Sequence, residues 1–390
     1  MKLCEIAAAI GIENYPQTME PYYDPQDTAP ACDLGLIDSL QKEYSMFGQY
    51  YDLVREYGEK VNADPLRSAW IKTAVRFALA GDFDQAKSVP VPTPDGTLLT
   101  SMLPYYILVP QIPVSMAEYR RRGFSEAEVI DLVKVYRTSL ATVENHTGLP
   151  GCNALYYGWD SHFAKCQIFK VGGLQFEMRK LTGRAAYLKD KQTGNVVPVM
   201  CSGTYHRTGI QELGSAGYTD GEGAFTCVFR EDEENYYGHG AWDCVVSPQE
   251  QTFPKTRWEK LFAPGDPCLG MHIPAKADIS VQAMDRAIEA ARELVKTRYP
   301  EFPGSQVYCS SWLLDPTLGR LLGDSANITN FQNRYVRYPQ KSAGMHVFGF
   351  VFAKNFGTYA DLPEDTRLRR ALKQLYLDGG HIYAYAGLIV

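Results

Sequence analysis

The stretch Cys268–Pro316, CLGMHIPAKADISVQAMDRAIEAARELVKTRYPEFPGSQVYCSSWLLDP, decides the fold. It reads strand, helix, strand. Leu269–Ile273 is short and apolar, and Pro274 ends it. From Ser280 to Tyr299 the residues Val281, Met284, Ile288, Ala291, Leu294 and Val295 recur at the spacing of a helix face. Val307–Leu314 is a second strand, stopped at Asp315–Pro316. A helix therefore starts just after a strand. Its unpaired N–H groups, with the positive end of the helix dipole, favour an anion such as phosphate.

Working outward, the chain falls into two regions. Residues 1–148 read as a helical domain. Asp33–Tyr44, Phe47–Lys60 and Pro65–Ala80 carry helical periodicity, and Gly81 closes the last of these. Ser125 with Glu128 forms a capping box, so a helix runs from there to about Asn145. This region has no cluster of catalytic groups; a lid, a substrate collar or a surface for self-association are the roles open to it. Residues 149–390 read as mixed α and β. Phe169–Leu181 is a strand pair, and Ala185–Asp190 with Asn195–Cys201 is a hairpin. Gly209–Gly223 is a glycine-rich loop. Phe225–Arg230 and Trp242–Val246 are short strands. After the strand–helix–strand unit come a helix (Thr317–Leu322), two strands (Asn327–Tyr338 and His346–Ala353), a helix (Asp365–Leu377) and a last strand (His381–Ile389).

Composition narrows the function. The 390 residues suit two or three domains. The net charge is −6, and the one basic run is Arg120–Arg122, which argues against nucleic acid as a partner. No run of about 18 apolar residues is present, so no membrane span is expected. No signal peptide is read at Met1–Ile12. The nine cysteines are scattered without a C-x-x-C pair, the pattern of reduced thiols in a cytoplasmic protein. His162 and Cys166 lie four apart with no second pair at ligand spacing, so no metal site is expected.

Four segments carry a resemblance: Gly172–Met178 (GGLQFEM), Met271–Ala275 (MHIPA), Cys309–Pro316 (CSSWLLDP) and Asn327–Tyr335 (NITNFQNRY). With them, Leu155–Val390 resembles the bacterial GNAT-like acyltransferase domain proteins, in which a helical N-acyltransferase N-terminal domain precedes a GNAT-like domain. The resemblance implies an α+β fold: a helical N-terminal domain, then a mixed β-sheet with flanking helices. It also implies acyl-CoA or acetyl-CoA as co-substrate and a small-molecule acceptor. In that superfamily two central strands splay and hold the pantetheine arm. Carried over, the arm lies along Leu269–Ala275, beside Ile273 and Ala275, and the pyrophosphate rests at Lys276, Ser280 and Val281. This chain departs from the pattern in two places. Ala275–Ser280 holds no glycine, and Pro316–Leu322 holds no counterpart of the usual general-acid tyrosine.

The residues themselves nominate the chemistry. His272 can take a proton at neutral pH; its competing role is a hydrogen-bonded structural histidine. Ser310 and Ser311 face opposite sides of the strand, so one at most serves the cleft. Cys309 reads as a buried thiol, since nothing local activates it. Asp315 reads as a helix cap, with orientation of His272 as the alternative. Gln175 and Glu177 read as the polar face of a strand, with Glu177 available as a base. Two functions remain: an acyl-CoA-dependent acyltransferase working by direct attack, and a GNAT-like ligand-binding module without CoA chemistry.

Overall fold

The computed structural model describes residues 1–210, 223–352 and 357–390. The chain divides into two compact units, Met1–Lys170 and Val171–Val390.

The first unit is helical, and local signals start its helices. Asp64 accepts from the amides of Leu66 and Arg67 at 3.0 Å each, and Pro65 occupies the first helical position, where its missing N–H costs nothing. The Pro65–Ala80 helix buries Trp70, Ile71, Ala74, Phe77 and Ala78. The capping box is present, with Ser125 N donating to Glu128 Oε2 at 2.7 Å. The expected single helix is two, Glu126–Val133 and Val135–Thr147, closed by left-handed Gly148. Ala154–Ala164 is a further helix that sequence periodicity hides. Its buried face includes Asp160, Ser161 and His162, so the usual apolar stripe is interrupted. Asp160 Oδ1 accepts from Ser139 at 2.8 Å, whereas Asp160 Oδ2 and the hydroxyls of Tyr105 and Tyr136 are buried without a protein partner. Burial pushes the Asp160 carboxyl well above the usual carboxylate range.

From Ile168 onward the chain is built on a six-stranded sheet among the described residues. Its strands are β1 (Ile168–Val171), β2 (Leu174–Lys180), β3 (Pro267–His272), β4 (Val307–Ser311), β5 (Tyr335–Pro339) and β6 (Tyr385–Ile389), in the spatial order β1-β2-β3-β4-β6-β5. β3 and β4 are parallel; the pairs β2–β3, β4–β6 and β5–β6 are antiparallel. The crossover between the parallel strands is the Val281–Arg298 helix, as such a pair requires. Gly172 lets that helix come close: it has φ +59°, and a Cβ there would stand 3.0 Å from Ala287 Cβ.

Between β2 and β3 the chain builds a second sheet. Its path runs Gln251–Pro254, Asn235–Trp242, Val196–Met200, Ala185–Asp190, Trp258–Phe262, and two short strands also pair with Asn235–Trp242. The two sheets share a core of Tyr187, Met200, Tyr205 and Phe262 with Cys268, Tyr308, Tyr338 and Leu388.

Several expected elements differ. Asn327–Tyr338 is not one strand. Asn327–Gln332 is helical and packs on the Pro316–Leu322 helix, and only Tyr335–Pro339 is extended. Phe348–Phe352 is one π-helical turn rather than a strand; its Phe348 and Phe352 rings belong to an aromatic core with Tyr359 and Tyr376, and Phe350 is exposed. Ala353 lies outside the described residues, as does the expected 209–223 loop apart from its ends. Thr366, not Asp365, caps the Arg367–Leu377 helix. The strands Gln251–Pro254 and Trp258–Phe262 were not anticipated; exposed charges at Glu259 and Lys260 obscure their alternation.

Candidate functional site

The site starts from the register of β3 and β4. Their parallel ladder comprises two pairs, Leu269↔Val307 and Gly270↔Tyr308. β3 then continues against β2 as far as His272↔Gln175, and β4 continues against β6 as far as Ser311↔Tyr385. Beyond Gly270 and Tyr308, each strand is held by its outer neighbour, and the two part.

Residues opposite one another in a ladder share a face. Gln175, Glu177 and Arg179 therefore lie on the face of Gly270 and His272, and Tyr308 and Ser310 lie on that face of β4. His272 Nε2 stands 2.9 Å from Glu177 Oε2. The Glu177 side chain is 5% exposed and that of His272 is 32% exposed, so the carboxylate is the buried end of the pair and the imidazole the reachable one. Glu177 is thus not part of a solvated strand face, contrary to its reading from alternation. Arg179 Nη1 reaches the same Oε2 at 3.2 Å.

On β4 the two serines separate. Ser311 accepts from Leu313 N at 3.1 Å and caps the turn Trp312–Leu314. Ser310 is exposed and donates to Gln340 Oε1 at 2.6 Å. Gln340 Nε2 donates to the Tyr308 hydroxyl at 3.0 Å, which lies 3.2 Å from the Tyr338 hydroxyl. A polar chain therefore leads from Ser310 into the core. Burial raises the Tyr308 phenol well above its ordinary value, so it stays protonated. Arg179, Gln340 and Tyr308 escaped sequence reasoning; the alternation Gln175-Glu177-Arg179 was the available signal for the first.

The segment after β3 turns tightly. Ala277 N donates to Pro274 O at 3.1 Å, and Lys276 takes φ +68°, the left-handed backbone that glycine favours. Asp278 Oδ1 accepts from Ser280 N at 2.9 Å, which lowers the Asp278 carboxyl below its usual range. Ser280 is the cap position of the Val281–Arg298 helix, but no side chain caps it and its first turn has no acid. In the next turn Asp285 is paired with Arg334 at 2.6 Å. With the Ser280 amide held by Asp278, the amides from Val281 on are the ones at this helix start that an anion can meet.

The remaining expectations resolve individually. Asp315 does not orient His272: its Oδ1 accepts from Thr317 N at 2.7 Å and its Oδ2 from Tyr383 N at 2.6 Å. Burial pushes the Cys309 thiol up to about 12, which leaves it inert. His162 stacks on Phe83 at 4.0 Å and meets Gln167 through Nδ1. Among the described residues no group of three His, Cys, Asp or Glu side chains is placed to hold a metal. None of the helices there is long and apolar enough to cross a membrane. An open groove of about 1080 Å³ runs along the other side of the Val281–Arg298 helix, between Arg286, Arg292, Lys296 and Phe302. It does not include His272 or Glu177, and charges of both signs line it, so the parting strands remain the better candidate.

Comparison with known proteins bears on this arrangement. Three solved structures match over 100% of this chain and 99% of their own. They are an acyltransferase in complex with decanoyl-CoA and teicoplanin (15% identity, TM-score 0.61), an acyltransferase in complex with decanoyl-CoA (15%, 0.63), and an acyltransferase in complex with CoA and 10C-teicoplanin (15%, 0.62). At that identity the likeness establishes the fold. A search of curated proteins finds no match. The model of the GNAT-like C-terminal domain matches residues 168–389, from the first strand of the sheet to the last. With more than half of its length matched, the chain belongs to the family of proteins with a GNAT-like C-terminal domain.

Proposed function

We propose that the protein is an acyl-CoA-dependent acyltransferase that moves an acyl group to an amine or hydroxyl of a small molecule by direct attack. The observation that carries this reading is the two-pair contact of β3 and β4, with the His272–Glu177 pair on one lip and Ser310 on the other. The same-fold structures that hold decanoyl-CoA lend it support.

When bound, an acyl-CoA supplies an activated thioester carbonyl. Past Gly270, where the pairing with β4 stops, the backbone from Met271 through the end of β3 at His272 and on by Ile273 to Ala275 offers an edge on which amide groups of the ligand can pair. Lys276 and the first amides of the helix from Val281 onward offer positive charge for its pyrophosphate; the Ser280 amide is held by Asp278, which leaves that residue its hydroxyl. His272 takes the proton that the acceptor gives up as the new C–N or C–O bond forms and the C–S bond breaks; the departing thiolate then recovers a proton. Glu177 holds the imidazole in place, and Ser310 supplies a hydroxyl for the carbonyl oxygen or the leaving sulfur. Ser311, committed to its cap, has no part in the chemistry.

The competing reading, a ligand-binding module without this chemistry, drew on the glycine-free turn. Lys276 adopts the glycine-like backbone unaided, which weakens that motive. The test is turnover and titration calorimetry with CoA, acetyl-CoA and longer acyl-CoAs. In His272→Gln, turnover is expected to fall by roughly 10²–10⁴-fold with acyl-CoA affinity unchanged. Absence of binding by any acyl-CoA at millimolar concentration removes the enzyme reading, and tight binding without turnover for any amine or alcohol tried favours the module.

A further inference from the structure

Three side chains meet at one oxygen. Glu177 Oε2 lies 2.9 Å from His272 Nε2 and 3.2 Å from Arg179 Nη1. Arg179 stands two residues beyond Glu177 on the same face of β2 and bends back to reach it. Its Nη2 is tied to Thr182 Oγ1 and its Nε lies 3.4 Å from Lys180 O, so the guanidinium is held from both sides. The bend passes over Gly270, the β3 residue directly opposite Glu177. A Cβ at Gly270 would stand 2.8 Å from Arg179 Cδ and 3.5 Å from Glu177 Oε2. Any side chain at Gly270 must push the arginine aside. Gly270 is one of the two β3 residues that pair with β4, so the bend lies where the strands begin to part.

We propose that Arg179, admitted by the bare backbone of Gly270, is a positioning residue that fixes Glu177 as an acceptor and thereby sets the tautomer of His272. The proposal rests on the reading of His272 as the base. A carboxylate has no proton to give, so the imidazole must donate to Glu177 through Nε2–H. Nδ1 is then the nitrogen left with a lone pair, and proton abstraction from the acceptor occurs there. A neutral Glu177 would instead carry a proton of its own and could donate to Nε2, leaving the lone pair on the wrong side of the ring. The arginine's fixed cation at the shared oxygen opposes that arrangement.

The experiment has two arms on the full-length protein. In the first, ¹⁵N-labelled histidine is read by NMR, without substrate. The wild type is expected to show His272 protonated at Nε2, and Arg179→Met a mixture of tautomers. In the second arm, Arg179→Met is expected to lower kcat on the order of tenfold or more, the worth of one charge-assisted hydrogen bond, with KM for acyl-CoA unchanged. Gly270→Ala is expected to act in the same direction, and the double variant to be no worse than Arg179→Met, because both remove one contact. Arg179→Lys keeps the charge and is expected to recover part of the loss; it also serves if the methionine variant folds poorly. A wild-type His272 protonated at Nδ1, or an Arg179→Met variant with unchanged tautomer and kcat, overturns the proposal. Additive losses in the double variant overturn the role given to Gly270. If the wild type turns over no acyl-CoA, the enzyme reading fails, while the tautomer arm still decides whether Arg179 sets the imidazole.

Discussion

At the scale of single residues, Lys276 separates two demands that glycine usually meets in one stroke. A phosphate-binding turn needs backbone in the left-handed region and room for the anion to approach. Here the backbone demand is met by a lysine at φ +68°, at a cost of about 1–2 kcal/mol for an L-residue, and a positive side chain is gained. Lys276→Gly is expected to raise or preserve the melting temperature, and Lys276→Ala to leave it unchanged. Both should weaken CoA binding by the same roughly 3–10-fold, since both lose the ammonium and neither needs a new turn. Calorimetric titration of the two variants checks this; CoA affinity at the wild-type level in either one removes Lys276 from the proposed pyrophosphate site. Sequence alone nominated His272, Glu177 and the two serines. It could not join the first two, because residues 95 apart in the chain become diagonal neighbours only through the β2–β3 register. It could not choose between the serines either, since the choice depends on the turn that Ser311 caps.

At the scale of elements, the order strand, helix, strand was legible, with Pro274 marking the end of β3; the expected strand Val307–Leu314 instead stops at Ser311, because the Ser311 cap turns Trp312–Leu314 into a helical turn before Asp315–Pro316. Asn327–Tyr338 was misread because Ile328, Phe331, Tyr335, Val336 and Tyr338 suit a strand, while tertiary packing turns the first half into a helix. Asp315 shows how tightly these elements are tied. One carboxylate caps the Pro316–Leu322 helix and also receives the amide of Tyr383, just before β6. Asn in its place retains one acceptor and turns an N–H₂ toward a backbone N–H. Asp315→Asn is therefore expected to cost about 1–3 kcal/mol by leaving a buried donor unpaired, with a lower midpoint in urea unfolding and unaltered CoA affinity in the folded fraction. A midpoint equal to the wild type would mean that a rotated side chain or a water replaces the lost acceptor.

At the scale of the whole molecule, a buried carboxyl ties stability to pH. The Asp160 carboxyl in the helical unit has its native pKa raised well above 3.8 by burial. A raised native pKa means that the folded state holds a proton the unfolded state has already released. Stability is then fully present below about pH 4 and falls as pH rises through the interval up to the native value, by as much as about 1.4 kcal/mol per pH unit. The melting temperature is expected to decline as the pH rises above about 4, and Asp160→Asn, which keeps an acceptor for Ser139 without titrating, is expected to flatten that decline. Parallel slopes for the two proteins would show that other groups govern it. The two-region plan was legible because helical periodicity gives way to alternation and turn residues along the chain. The second sheet was only partly legible, because several of its strands are short and charges such as Glu259 and Lys260 obscure the alternation.

Where the ladder of β3 and β4 ends, two strand edges in the middle of a sheet no longer pair with each other. An edge of that kind invites a foreign strand, and sheet proteins usually conceal it. Here the opening is kept short. Pro274 cannot donate a hydrogen bond on one side, and the capped turn at Trp312–Leu314 bends the chain away on the other. What fits is briefer than a peptide strand yet still carries amides, and pantetheine has two. If the proposed function holds, the gap selects against misassembly by its length, which Pro274 and the Ser311 cap set, and for its ligand by backbone pairing.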